Sequence, residues 1–157
     1  MTPELDILLR ELEPASEINL EVRLQFGLLC ATRVSHLLEQ SEVMACLNRF
    51  SGILKNSNFR ENLHGLIAQS DELANRHHGS KSLDGVGHAA VSATYTCAKA
   101  IAGCARQAAE YSAYAVVYGQ GGYGATSDLT AYEPEFAWQA QQLQTLLATW
   151  HRAQRTT

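Results

Sequence analysis

Six histidines are the first residues to test for chemistry: His36, His64, His77, His78, His88 and His151. Neutral imidazole is a common metal ligand. His77, His78 and His88 could converge on one ion, because turns and helix ends bring distant side chains together. The spacings that place two imidazoles on one helix face, His-Glu-x-x-His and His-x-x-x-His, do not occur. The pair His77-His78 falls in Arg76-His77-His78-Gly79-Ser80 and reads as a polar turn. No metal ligand set and no cofactor are expected.

The thiols give a similar answer. Cys30, Cys46, Cys97 and Cys104 form no Cys-x-x-Cys pair. A nucleophilic thiolate needs an electropositive, partly exposed setting. Lys99 and Arg106 are near in sequence, yet helical spacing puts Cys97 and Cys104 on one small-residue face. All four cysteines are expected as buried free thiols. The carboxylate pairs Asp71-Glu72 and Glu133/Glu135 have no partner base in sequence and read as solvated surface. Gly119-Gln-Gly-Gly-Tyr-Gly124 is no phosphate loop, because it lacks the Gly-Lys-Ser/Thr ending and follows no strand. Two readings of it stand: a flexible connector, or a mobile binding loop anchored by Tyr123 and Tyr132. The stripe Tyr111, Tyr114, Tyr118, with Tyr95, reads as packing. No catalytic residues are expected, and the chain is not expected to be an enzyme.

Charge narrows the partners. The net charge is −4, and a basic patch suited to nucleic acid is missing. Residues 1–21 hold Glu4, Asp6, Glu11, Glu13, Glu17 and Glu21 against Arg10 alone. Residues 107–151 hold Glu110, Asp128, Glu133 and Glu135 and no Lys or Arg. Two such stretches suit solvated helix faces or a surface matched to a cationic protein.

The elements that must position these residues are helical. Thr2-Pro3 is a helix start, with Thr as N-cap and Pro at the first position. Leu5, Leu8, Leu9 and Leu12 form one stripe, and Pro14 ends it. Ser16 caps a second helix that runs to about residue 39. Ser41 opens a third, with Val43, Leu47, Phe50, Ile53 and Leu54 on one side. Lys55-Asn56-Ser57-Asn58 is a break, and a fourth helix carries Phe59, Leu63, Leu66, Ile67 and Leu73. Asp84 is a cap for an alanine-rich part spanning residues 85–118. Its small face, Gly85, Ala89, Ala93, Cys97, Ile101, Ala105, Ala108, Ser112, Ala115, lets helices approach closely. A break near Ala102-Gly103 divides it. A Gly-rich loop then runs to about Tyr132. Glu133-Pro134-Glu135 starts the last helix, with Phe136, Leu143, Leu146, Leu147 and Trp150 inside.

The expected fold is therefore all-α: one domain over residues 1–157, a bundle of about six or seven helices with the Gly-rich loop before the last. At 157 residues it needs no disulfide or metal to bury a core. No signal peptide and no membrane span are read, so the expected place is the cytoplasm.

The C-terminal half resembles a known family. Gly87-His88-Ala89-Ala90, the spacing to Ala93-Thr94 and the run through Ala113-Tyr114-Ala115 are similar to all-helical immunity proteins encoded beside bacterial polymorphic toxins, the fifth immunity-protein family and its relatives. The ending Glu135-Phe-Ala-Trp138-Gln139, then Leu143, is similar too. The likeness covers roughly residues 57–147. It implies an inhibitor that binds and neutralises a cognate toxin, with Gly87, His88 and Trp138 in structural roles. Many such toxins are basic nucleases, and an acidic inhibitor can occlude their sites. The expected partner-binding residues are Tyr123, Asp128, Tyr132, Glu133 and Glu135, with the N-terminal acidic face as the alternative. Two other readings remain: a homo-oligomeric adaptor, a homodimer for instance, and a metal-dependent hydrolase using the three histidines.

Overall fold

The computed structural model describes residues 1–77 and 86–155. The expected cap Asp84, with Gly85 and His78, lies outside the described residues, as do the side chains of Tyr123 and Arg155. Seven α-helices and no strand occur among the described residues: α1 Pro3–Glu11, α2 Glu17–Arg33, α3 Ser41–Ile53, α4 Phe59–Arg76, α5 Val86–Ile101, α6 Ala105–Thr126 and α7 Glu133–Arg155. Two 3-10 turns, Ser35–Leu37 and Leu129–Tyr132, join α2 to α3 and α6 to α7. The all-α bundle expected from the sequence is the observed fold.

Local chemistry explains most boundaries. Pro3 opens α1. The Ser16 hydroxyl accepts the Asn19 amide at 3.0 Å and caps α2. That helix stops at Arg33, earlier than periodicity suggests. The Ser35 hydroxyl donates to the Thr32 carbonyl, and the chain tightens into its 3-10 turn. Gly103, at φ 78°, makes the tight turn between α5 and α6 where the break was expected.

Three layers result. The α5–α6 hairpin and α2 form the middle. Helices α3 and α4 cover one side through Val43, Leu47, Phe50, Leu63 and Leu66, packed against Leu24, Cys97 and Ile101. Helices α1 and α7 cover the other through Leu5, Leu9, Phe136 and Leu143, packed against Phe26, Ala109 and Ala113. The small face of the hairpin is buried from Ala89 to Ala115. At its closest point, a Cβ built on Gly27 would stand 2.9 Å from the Cα of Ala100, so α2 and α5 meet almost backbone to backbone.

The Gly-rich segment is the main correction. Gly119 to Gly124 is not a loop but lies within α6, which continues to Thr126. Each glycine costs helix about 1 kcal/mol relative to alanine, so intrinsic preference argues for a loop. The segment is helical all the same, with Gly119, Gly121 and Gly124 exposed: a Cβ on Gly119 would make ordinary contact with Leu37 and Ala89, and a Cβ on Gly121 would come within 2.5 Å of the Ala125 Cβ of the same helix, so glycine suits that position. Only Gly122 leaves the helix, at φ 66° and ψ −159°, and it kinks the element.

Candidate partner-binding surface

The end of α6, the 3-10 turn, the start of α7 and the start of α1 converge on one corner. Asp128 shapes it first. Its Oδ1 accepts the Thr130 amide at 3.0 Å and the Thr130 hydroxyl at 2.6 Å, which caps the turn. The Thr130 hydroxyl, then its amide, holds the Asp128 carboxyl below the usual carboxylate range. Asp128 and Glu133 are both exposed. Glu133 also begins α7, where a negative charge suits the helix dipole.

Two expected binding residues face inward instead. Tyr132 is 6% exposed. Its hydroxyl donates to the Thr126 carbonyl at 2.9 Å, and its ring lies edge-on to Tyr114 and stacks on Phe136. Burial, then the neighbouring Tyr114 and Tyr118, pushes its hydroxyl above the ordinary tyrosine range. Glu135 is 4% exposed. Both its oxygens accept from Arg33, at 3.1 and 3.2 Å. The Arg33 guanidinium lies 4.6 Å over the ring of half-buried Trp138. The reason for both corrections is helical phase: residues 132, 135, 136, 139 and 143 share the inner face of α7 and its lead-in. The side chain of Tyr123, another expected binding residue, lies outside the described residues.

Beside these residues lies a groove of about 350 Å³. Met1, Pro3, Tyr114 and Leu129 supply its exposed apolar walls, and buried Tyr132 and Phe136 back it. Glu133 and Thr2 are its other lining residues. The Thr2 Oγ1 is buried with no hydrogen-bond partner among the described residues. Sequence reasoning missed this groove. It assigned Tyr114 to packing, and Tyr114 is 45% exposed. One signal was available: Leu129, between Asp128 and Thr130, is a lone aliphatic in a polar segment.

Of the candidate metal ligands, His77 lies 3.7 Å from Glu39 and His88 stacks on Tyr118, while His78 lies outside the described residues. No group of three His, Cys, Asp or Glu residues able to hold a metal occurs among the described residues. Cys30, Cys46 and Cys97 are buried, but Cys104 is exposed, a correction. Its position is the last residue before α6, and the Gly103 turn lifts it off the small face. It shares a cleft with Arg23 and Arg106. Those guanidiniums are committed elsewhere: Arg23 to the Gly103 and Leu12 carbonyls, Arg106 to Asp6 and Glu13. Among the described residues no helix is long and apolar enough to cross a membrane.

Comparison with known proteins finds no matching family model, no matching curated protein and no matching solved structure. What the fold and the corner define is a class by construction: an all-α bundle with a preformed apolar groove at an acidic edge.

Proposed function

We propose that this chain is a binding protein of the immunity type, which neutralises a cognate, cationic protein toxin by covering its active site in the cytoplasm. One observation carries the reading: exposed Glu133 lines an apolar groove and exposed Asp128 adjoins it, in a stretch of 45 residues, 107–151, free of Lys and Arg. Glu110 is one helical turn before Tyr114, so the two share a face of α6. Exposed Glu4, on α1, adds to the same layer, where Gln144 of α7 donates to it. An inhibitor needs a complementary surface, not a catalytic set, and a standard interface covers about 800 Å² of each partner.

The test is genetic and then kinetic. Co-expression with the product of the adjacent gene should abolish that product's toxicity, and the two should co-elute. Charge reversal by Asp128→Lys with Glu133→Lys should slow association about tenfold at low salt, with less effect at high salt. Continued killing with no complex would reject the reading. A complex whose rate ignores both the reversal and the salt would move the interface elsewhere.

A further inference from the structure

We propose that the groove beside Leu129 seats one large apolar side chain, presented by a basic segment of a protein partner. The inference rests on the binding reading above and specifies the chemistry of what is bound.

Apolar exposure is concentrated here. The large apolar side chains exposed among the described residues are Met1, Ile7, Ile18, Tyr114 and Leu129, and three of these five line this groove. Exposed apolar residues scattered singly are ordinary, whereas several around one concavity mark a binding surface. Leu129 is the extreme, at 81% exposure. The fold does not call for it. The turn is held by Asp128, Thr130 and the backbone, including the Ala131 amide on the Asp128 carbonyl at 3.0 Å.

The back wall is set before anything binds. The Tyr132 hydroxyl is tied to Thr126, and its ring meets Tyr114 at 5.2 Å between centroids. A preformed wall spares the ordering cost of binding. The volume, about 350 Å³, is near the low end for small-molecule sites and suits one side chain entering from the open side.

Charge selects the occupant. Glu133 lines the groove, Asp128 adjoins Leu129, and Glu110 stands one turn from Tyr114, while the nearby cation Arg106, which reaches the Met1 sulfur at 3.3 Å, is paired with Asp6 and Glu13. Basic residues flanking the anchor meet complementary potential. A second copy of this chain, itself at −4, would bring like charges together.

Two amidated peptides serve as probes, Arg-Lys-Phe-Lys-Arg and Arg-Lys-Ala-Lys-Arg, titrated into the full chain by amide NMR. The Phe peptide should shift Tyr114, Leu129 and Glu133 and bind about tenfold tighter than the Ala peptide. Leu129→Asp should erase that preference while leaving the remaining spectrum unchanged, which shows the fold intact. Glu133→Lys should weaken both peptides. Equal affinities, shifts centred elsewhere, or Leu129-dependent dimers in sedimentation would overturn the proposal. The co-expression assay separates the two readings. The peptide preference without rescue would sink neutralisation and keep the groove. Rescue by Leu129→Asp as good as by the parent chain, with no peptide preference, would sink the groove and keep neutralisation.

Discussion

The middle layer and the α6–α7 corner solve opposite packing problems. In the middle layer α2, α5 and α6 meet through Gly27, Ala93, Ala100, Ala108 and Ala115, and the contact is made largely by backbone. At the corner the helices stand apart and large groups fill the gap: Tyr114 against Tyr132, Tyr132 against Phe136, Arg33 between Glu135 and Trp138. Polar tethers also differ. The middle layer has Ser112 donating to the Cys30 carbonyl at 3.3 Å, a short reach between close helices. The outer contact needs Gln139, fully buried, to span from α7 to the Ala109 carbonyl at 3.0 Å. Close packing leaves no room for a site. Large residues bridging a gap leave a groove wherever the bridge ends.

The comparison can be broken most strongly at Gly27. Gly27→Val should destabilise the fold by about 3 kcal/mol, because its Cβ alone would stand 2.9 Å from the Ala100 backbone. Urea unfolding measures it, and a loss under about 1 kcal/mol would show that α2 can slide away.

Next in size is the Arg33–Glu135 pair. Arg33→Ala strands a carboxylate whose side chain is 5% exposed and should cost about 2 kcal/mol. Replacing both residues by Met should recover most of that loss, since an apolar pair asks for no desolvated charge. Non-recovery would place the effect in the lost cation–π contact with Trp138.

Tyr132→Phe removes only the bond to Thr126 and should cost about 1 kcal/mol. The sharper readout is groove rigidity: Leu129 and Tyr114 amides should broaden in NMR spectra, and unchanged line widths would mean the rings alone hold the wall.

At neutral pH the thiols matter least. Burial, then the nearby Cys46, pushes the Cys97 thiol up to about 12 from an ordinary 9.0, and burial raises Cys30 as well. The unfolded chain releases these protons near pH 9 while the folded chain keeps them. Stability should therefore be flat below about pH 9 and fall as pH rises from there toward 12. Unfolding midpoints between pH 8 and 11 test it, with Cys97→Ala expected to reduce the fall. A disulfide reagent should modify Cys104 alone in the native protein, and rapid modification of the other three would contradict their burial.

Much of the fold was legible because it rests on local signals. The stripes at Val43, Leu47, Phe50 and at Phe59, Leu63, Leu66 repeat at helical period, and Ser16, Pro3 and Gly103 mark ends by their own chemistry. The corner was less legible. Tyr132 and Glu135 look like surface residues by type. Their roles reverse because α7 must turn Phe136, Gln139 and Leu143 inward, which carries Glu135 in with them.

By itself, then, the sequence determined the helices, the small-residue face and the two acidic stretches, since each follows from propensity and spacing within one segment. The tertiary structure alone decided that α1 and α7 share a layer, which brings those stretches together. It decided that Gly119 lies against Leu37 and Ala89, and that Met1, Tyr114 and Leu129, over a hundred residues apart at the extremes, edge one groove. The physical reason is common to all of these. Burial and pairing are properties of contacts between distant segments, and a contact outweighs the preference of any single residue.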